Sequence, residues 1–290
     1  MKKTLIAILA VGALGLDLAA HKRHYDVQEK EEITKTLKLS GPAGAAQVSV
    51  DNIFGRITVE GTSGSDVVLI AHKTILAESK DKVQRAKDEV TLDITEKAGA
   101  VDIYVDGPFR ERDRKRRHIH MDRDPGYMVK YDFELKVPFR TKLEICTVTD
   151  GDIEITNVAG DFDVSNVNGE IRMTGVDGSG DAHTVNGEVA VSFKKAPSGG
   201  CSFETVNGEI TLGFPGTPSA DFRIKTMNGE IYTDFDTVTL PAQAAEAGKR
   251  EGGRFVFRSD RFFGVRTGKG GPEIKLETLN GDILIKKISA

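Results

Sequence analysis

The chain carries a short sequence repeat, and this repeat restricts the possible folds more than any other feature. Six segments share it: TVTDGDIEI, SNVNGEIRM, HTVNGEVAV, ETVNGEITL, KTMNGEIYT and ETLNGDILI. Their glycines are Gly151, Gly169, Gly187, Gly208, Gly229 and Gly281, and an earlier copy, VDNIFGRITV, contains Gly55. Four successive spacings are 18 or 21 residues. Such a regular period is typical of folds in which each repeat buries its apolar face against its neighbours.

Apolar residues keep fixed positions relative to each glycine. The position two after the glycine holds Ile57, Ile153, Ile171, Val189, Ile210, Ile231 and Ile283. The position five before it holds Val50, Cys146, Val164, Ala182, Phe203, Ile224 and Leu276, and the position two before it holds Ile53, Thr149, Val167, Val185, Val206, Met227 and Leu279. This alternation predicts short β-strands, and stacked repeats place like residues about 4.8 Å apart. We therefore expect Ile171, Val189, Ile210 and Ile231 to form one buried, stacked column.

Each copy is interpreted as two short strands that meet at an Asn-Gly corner, where glycine supplies a positive φ at little cost. The predicted corner residues are Asn168, Gly169, Asn186, Gly187, Asn207, Gly208, Asn228, Gly229, Asn280 and Gly281. Asn-Gly also suits a two-residue hairpin, so a meander of hairpins is the rival geometry. The regular register and the short strands favour a coil. We predict an all-β fold, a β-solenoid resembling a single-stranded right-handed β-helix.

The predicted solenoid domain spans residues 37–290 and contains two insertions. Residues 67–138 are expected to form a small antiparallel sheet with one short helix, because strand-like alternation surrounds a polar, helix-favouring segment at 79–89. A second insertion covers residues 236–265. Its segment PAQAAEAGKREGGR, at residues 241–254, is polar.

The first 20 residues are predicted to be a signal peptide. A basic start, Met1-Lys2-Lys3, precedes an uncharged run over 4–16, which is too short to span a bilayer. The alternative is an uncleaved anchor. We therefore expect a secreted or periplasmic protein at the cell envelope. The formal net charge of -4 argues against a nucleic-acid partner.

A basic segment, RERDRKRRHIHMDRD, occupies residues 110–124. Its cations could contact phosphate or carboxylate groups of a glycan or lipopolysaccharide. The candidate ligand-binding residues are Arg110, Arg112, Arg114, Lys115, Arg116 and Arg117. The alternative is a solvated loop that binds nothing. If the protein is a binding module, we expect recognition on such inserted material rather than at the glycine corners. His118 and His120 have no third metal ligand nearby in the sequence, so no metal site is predicted.

An acidic residue follows each repeat glycine. In chain order these are Asp152, Glu170, Glu188, Glu209, Glu230 and Asp282. Stacked coils would align them in a row, which could bind a cation such as Ca²⁺ through carboxylate oxygens. The alternative is a solvent-exposed edge screened by salt and by neighbouring Lys and Arg.

The chain contains two cysteines, Cys146 and Cys201. They lie three coils apart in the predicted stack, which corresponds to about 14 Å along its axis. A disulfide requires Cα atoms within roughly 7 Å of each other. We therefore predict two separate, mostly buried thiols.

The repeated coils, the approach VPFRTKLEICTVTDGDIEI and the ending GKGGPEIKLETLNGDILIKK together resemble a bacterial adhesin-like domain family of unknown function (domain of unknown function 4097). The resemblance covers residues 37–287. It implies an envelope or surface β-solenoid, and it supplies no catalytic residues and no cofactor.

Sequence signatures of common hydrolases, metalloproteases, nucleotide-binding proteins and redox proteins are absent from the chain. We therefore predict a non-enzymatic protein that binds an envelope glycan or a surface protein. Two alternatives stay open. One is a scaffold that self-associates through its solenoid ends, and the other is a polysaccharide-processing enzyme on a β-helix.

Overall fold

The computed structural model describes residues 24–39, 46–110, 125–241, 249–251, 254–256 and 262–289. The first strands are β1 (Val27–Lys38), β2 (Gln47–Asp51), β3 (Ile57–Thr62) and β4 (Asp66–Ala77), followed by helix α1 (Lys80–Glu89) and by β5 (Thr91–Lys97), β6 (Ala100–Asp106) and β7 (Tyr127–Pro138). The repeats supply β8 (Lys142–Cys146), β9 (Ile153–Thr156), β10 (Phe162–Ser165), β11 (Ile171–Val176), β12 (Gly180–His183), β13 (Val189–Phe193), β14 (Cys201–Glu204) and β15 (Ile210–Phe214). The last strands are β16 (Ala220–Asn228), β17 (Ile231–Thr233), β18 (Thr237–Thr239), β19 (Lys249–Glu251), β20 (Arg254–Val256), β21 (Phe263–Thr267), β22 (Glu273–Asn280) and β23 (Ile283–Lys287).

Two large mixed sheets form the body of the protein. Sheet A has the order β1-β4-β7-β3-β9-β11-β13-β15-β23-β17, and sheet B has the order β18-β21-β16-β22-β14-β12-β10-β8-β2-β6-β5. Strands β19 and β20 form a separate two-stranded ribbon. In the repeats the chain alternates between the sheets, and neighbouring strands are parallel. Parallel pairing excludes hairpins, so the fold is all-β and β-solenoid-like, as predicted. The right-handed sense of the coil stays a prediction.

The predicted apolar column lies in the core along most of sheet A. Ile171 pairs with Val189, and Val189 pairs with Ile210, all fully buried. The next residue in the column is Ile283 rather than Ile231, because β23 lies between β15 and β17. Ile231 therefore ends the column with 37% of its surface exposed. Stacking of Ile210 directly on Ile231 was a wrong expectation, because the last two coils stack in the reverse of their chain order.

The coil around Gly151 contains one residue more than the repeat assumes. Ile145, not Cys146, pairs with Val164 in the buried column of sheet B. Asp150 has a φ of 61°, and the backbone N–H groups of Val148 and Thr149 both approach the Ile53 carbonyl. This local bulge turns Cys146 to the outer face of β8, where it is half-buried, so its predicted place in the apolar column is wrong.

Residues 67–138 form the strands and the helix that the sequence predicts, but these strands do not make a sheet of their own. Strands β4 and β7 extend sheet A, whereas β5 and β6 extend sheet B. The pairs β3–β7 and β2–β6 are parallel, so the first insertion continues the stacking of the coils before antiparallel strands end it. Helix α1 starts at the N-cap Ser79, whose side chain accepts from the Lys82 N–H, and it buries Val83 and Ala86.

Three predicted segments fall largely or wholly outside the described residues: the signal segment at 1–20, the basic segment at 110–124 except Arg110, and the centre of the second insertion. Strands β18 and β21 place the two ends of this insertion side by side in sheet B. Among the described residues, no helix is long and apolar enough to cross a membrane.

Both cysteines are thiols, as predicted. Cys201 lies on β14 and is buried, and three strand-to-strand steps separate β14 from β8, which carries Cys146. Burial raises the pKa of the Cys201 thiol.

Thiol labelling of the unfolded, unreduced protein should therefore find two reactive groups. In the native protein, half-buried Cys146 should react well before Cys201, because access and thiolate fraction both limit Cys201. Cys201→Ser should remove the slow phase and leave the fast phase unchanged. Finding no thiol in the unfolded protein would contradict the coil register.

Candidate functional site

The corners of the coils are built on direct contact between glycines. A Cβ atom at Gly208 would overlap the backbone carbonyl of Gly187, and a Cβ atom at Gly281 would overlap that of Gly208. The same holds for Gly169, Gly187 and Gly229 against their own neighbours. The backbone has the predicted positive φ at Gly169, Gly187 and Gly281, but not at Gly208 or Gly229. The close approach of the coils requires glycine at all five corners, and the turn conformation that the sequence suggested adds to this requirement at three of them.

A buried polar ladder fixes the inside of each corner. Three positions before the glycine, the Thr205 hydroxyl donates to the Gly187 carbonyl at 2.9 Å, and the Thr278 hydroxyl donates to the Gly208 carbonyl at 3.0 Å. Thr184 and Asn166 make the same bond to their neighbouring coils. The threonine hydroxyls thus give each of these buried carbonyl oxygens a further hydrogen bond.

The asparagines form a second ladder on the outside of the corners. Asn186 donates its side-chain amide to the Asn168 Oδ1 at 2.8 Å, and Asn207 donates to Asn186 in the same way. Asn280 then donates to Asn207, and Asn228 donates to Asn280, both at 2.7 Å. All five residues are exposed. The amides hold one another in a fixed orientation and still present their second N–H and lone pair to solvent.

Next to this ladder stands a row of apolar side chains that face water. We call the row and the asparagine ladder together the corner ridge. Its apolar members, in stacking order, are Val167, Val185, Val206, Leu279 and Met227. The first four are 36–41% exposed, and Met227 is 73% exposed. The sequence assigned this position to the apolar repeat pattern, yet the side chains point outward because the Thr or Asn directly before each of them takes the inward place.

The acidic residues after the glycines lie on successive coils, in the order Asp152, Glu170, Glu188, Glu209, Asp282 and Glu230. Several of their carboxylates have local partners. Asp152 accepts the Glu170 N–H, and Asp282 accepts the Glu230 N–H, each at 2.8 Å. The three glutamates Glu170, Glu209 and Glu230 bond to the side chain two residues further on. Within the described residues, no three His, Cys, Asp or Glu side chains are grouped so that they could hold a metal ion.

The described part of the basic segment is its first residue, Arg110, and the structure contradicts its predicted role. The Arg110 side chain is only 4% exposed, and its Nη2 lies 2.7 Å from the Asp51 Oδ1. Its Nε donates to the Val105 carbonyl, and its guanidinium lies 4.3 Å from the centre of the Tyr104 ring. Arg110 is thus a buried structural cation with its donors directed inward, and it is not an exposed ligand contact. Arg112, Arg114, Lys115, Arg116, Arg117, His118 and His120 lie outside the described residues.

Sequence reasoning treated the corners only as turns and therefore missed the ridge. A usable signal was present, because a polar Thr or Asn precedes Val167, Val185, Val206, Met227 and Leu279 in every case. Two adjacent side chains on a strand point to opposite faces. When a regular polar column stands beside a regular apolar one, either the polar side chains are buried and the apolar ones exposed, or the reverse.

A comparison with protein families confirms the family resemblance suggested by the sequence. Residues 140–254 match the model of the family Toastrack DUF4097. No curated protein matches the chain. A solved "putative cell adhesion protein" from Clostridium sporogenes is 13% identical, covers 90% of this chain and 100% of its own, and has a TM-score of 0.42.

Two further solved structures are similar at lower scores. A "putative adhesin" from Bacteroides fragilis is 11% identical with a TM-score of 0.37, covering 90% of this chain and 98% of its own. A "putative lipid binding protein" from Parabacteroides distasonis is 12% identical with a TM-score of 0.31, covering 89% and 97% respectively.

Proposed function

Taking the match of residues 140–254 to the Toastrack DUF4097 family as the premise, we propose that this is a secreted or periplasmic, non-enzymatic protein that binds a partner at the cell envelope. The partner is an envelope glycan or a surface protein. The corner ridge is the binding surface. The predicted signal segment supports the location, and the rigid, regular display of the ridge supports the binding role.

One observation carries the proposal. Five apolar side chains occupy one column on the outside of a protein that buries its other apolar columns almost completely. Contiguous exposed apolar surface rimmed by polar groups marks interaction sites in soluble proteins. The asparagine ladder provides such a rim on one side, with donors and acceptors held in place by their own hydrogen bonds.

The apolar side chains of the corner ridge can also be substituted without loss of the fold. The glycine and the threonine of each corner are fixed by contacts inside the stack, whereas the apolar member points away from it. Recognition can therefore use a side chain that folding does not require. This proposal differs from the expectation that recognition lies on inserted material rather than at the glycine corners.

The basic segment supplies a second candidate surface. Its exposed members would be Arg112, Arg114, Arg116 and Arg117, since Arg110 is engaged with Asp51. Four arginines can hold phosphate or carboxylate groups, and such binding weakens as salt screens the charges. Binding at the ridge, which is largely apolar and amide-based, should depend much less on salt.

A binding assay with three variants of the mature chain separates these surfaces. Immobilised envelope fractions and a glycan array serve as probes. Val185→Ser with Val206→Ser is expected to weaken binding at least tenfold, whereas Phe139→Ser, an exposed apolar residue away from the ridge, should bind like the parent. The change of Arg112, Arg114, Arg116 and Arg117 to Ser should also leave binding unchanged. All these substitutions are at exposed or predicted exposed positions, so stability should stay within about 1 kcal/mol.

The opposite pattern, loss with the arginine variant and none with the valine variant, would move the site to the basic segment. Failure of the parent to bind any fraction or glycan would overturn the proposed function. Release of reducing ends from envelope polysaccharides by the purified chain would contradict its non-enzymatic character.

A further inference from the structure

The corner ridge presents the same two groups on successive coils. Each coil offers one aliphatic side chain and one asparagine amide, and the ladder leaves that amide with a second N–H and a second lone pair. Parallel bridges join Asn168, Asn186, Asn207 and Asn280 in this order, so the pattern repeats about every 4.8 Å along the stack. A ligand with a repeating structure can therefore make the same contact at several corners.

The backbone of the central corners is used within the stack. The Asn186 N–H donates to the Val167 carbonyl at 2.8 Å, and the Gly187 N–H donates to the Asn207 carbonyl at 3.0 Å. The Asn207 N–H in turn donates to the Val185 carbonyl at 2.8 Å. A partner that adds a β-strand needs unpaired backbone groups on the surface that it joins. Recognition at these corners therefore depends on side chains and not on strand addition.

The ridge is uncharged and lies beside carboxylates. Its ten residues are Val, Leu, Met and Asn. On the side of sheet A, Glu170, Glu188 and Glu209 follow the glycines on successive coils. On the side of sheet B, Glu204 is paired with Lys275 at 2.7 Å. The carboxylates beside the ridge repel phosphate, sulfate and carboxylate groups, so the charges here favour a neutral ligand.

The apolar part of the ridge is aliphatic and narrow. Val185 and Val206 are 38% and 37% exposed, so each shows only part of a branched side chain beside its amide. In the part of the chain that the structure describes, the exposed aromatic residues Phe139, Tyr232 and Phe263 lie away from the ridge. A flat sugar ring needs a broad contact such as an aromatic face, whereas a methyl group packs on part of a valine.

We propose that the corner ridge binds a neutral glycan whose sugars carry acetamido groups, an inference that rests on the proposed binding function of the ridge. An acetamido group combines a methyl group with an amide. The methyl group packs on the valine of a corner. The carbonyl accepts the second N–H of one asparagine and the N–H donates to the lone pair of another, because the two groups of a trans amide point in opposite directions.

A linear chain of such sugars adds these contacts along the stack. Once one acetamido group is bound, the next is held close to the neighbouring corner, so each further contact is intramolecular. Affinity should therefore rise with the length of the glycan until the corners of the ridge are occupied. A ligand that uses one corner alone would show no such dependence on length.

Isothermal titration calorimetry of the purified chain tests the ligand class. The probes are β-1,4-linked oligomers of N-acetylglucosamine, from dimer to hexamer. Glucose oligomers of the same linkage and length carry a hydroxyl group in place of each acetamido group, and oligomers of galacturonic acid supply an anionic comparison. We expect the N-acetylated hexamer to bind more tightly than its own dimer and more tightly than either comparison hexamer.

Substitutions at the ridge test the two contacts separately. Val185→Thr with Val206→Thr keeps the side-chain shape and removes one methyl group from each corner, so affinity for the N-acetylated hexamer should fall about tenfold. Asn186→Leu removes an amide at an exposed position without a positive φ, and it should weaken the N-acetylated hexamer but not the glucose hexamer. Val238→Thr makes the first exchange at an exposed position away from the ridge and should change nothing.

The outcomes separate this inference from the proposed function. Equal affinity for the N-acetylated and glucose hexamers would overturn the acetamido ligand, and so would tighter binding of the anionic oligomer. Binding of envelope fractions that depends on Val185 and Val206, without binding of the N-acetylated hexamer, would leave the proposed function standing and overturn the ligand class. Binding of neither would overturn both.

Discussion

Replacing Gly208 with alanine is expected to destabilise the protein by about 3–5 kcal/mol or to prevent folding, because the new methyl group has no space. A Cβ atom there would overlap the backbone carbonyl of Gly187, which cannot move without separating two coils. The same carbonyl accepts the Thr205 hydroxyl, so that buried hydrogen bond would be lost as well. Urea unfolding followed by circular dichroism measures the change in free energy.

The matched control is Gly216→Ala. No atom lies within 4 Å of the position that a Cβ atom would take at Gly216, and its backbone does not have a positive φ. This substitution should be neutral or slightly stabilising, since alanine lowers the entropy of the unfolded chain. Equal effects of the two substitutions would show that glycine contact is not what holds the corners.

Ile210→Asp should cost more than about 4 kcal/mol, because it places an unpaired carboxylate in the core. Ile210 is fully buried and lies between Val189 and Ile283 in the column. Neither neighbour can supply a hydrogen bond from its side chain, so several coils should lose their packing together. Thermal unfolding should show a large loss of melting temperature or no cooperative transition.

Ile231→Asp tests the stacking order of the coils, because it makes the same substitution at the same position within another repeat. Because Ile231 ends the column and is partly exposed, its substitution should cost about 1 kcal/mol or less. Stacking in chain order would instead make the two substitutions similarly damaging. A large effect at Ile231 would therefore contradict the placement of β23 between β15 and β17.

The repeat was sufficient to predict the coil and most of its core. Fixed apolar positions such as those of Ile171 and Val189 follow from period-two alternation. This alternation involves only neighbouring residues and is therefore visible in the sequence. The helix at α1 was predictable for a similar reason, because Ser79 caps a polar segment with Val83 and Ala86 on one side.

What the sequence did not show depends on contacts between distant residues. The position of β23 cannot be read from spacing, since Gly281 and Gly229 carry equivalent motifs and either could follow Gly208. The outward direction of Val185 depends on whether Thr184 or Val185 takes the inward place. That choice is decided by a carbonyl on the neighbouring coil. The burial of Arg110 likewise depends on Asp51, which is 59 residues away in the chain.

The position of β22 and β23 within the sheets affects how the chain can fold during its synthesis. Residues 273–287, in strands β22 and β23, form an internal layer of both sheets, between β14 and β16 and between β15 and β17, although they follow all four strands in the chain. The Gly208 N–H donates to the Asn280 carbonyl, which is 72 positions away in the chain, so we expect this layer to close late and slowly during folding. A nascent chain cannot complete its stack from the N-terminus onward. Strands β16 and β17 cannot pair with the rest of their sheets until β22 and β23 have been synthesised. A chain truncated before Glu273 therefore lacks an internal layer of the stack rather than its outermost layer.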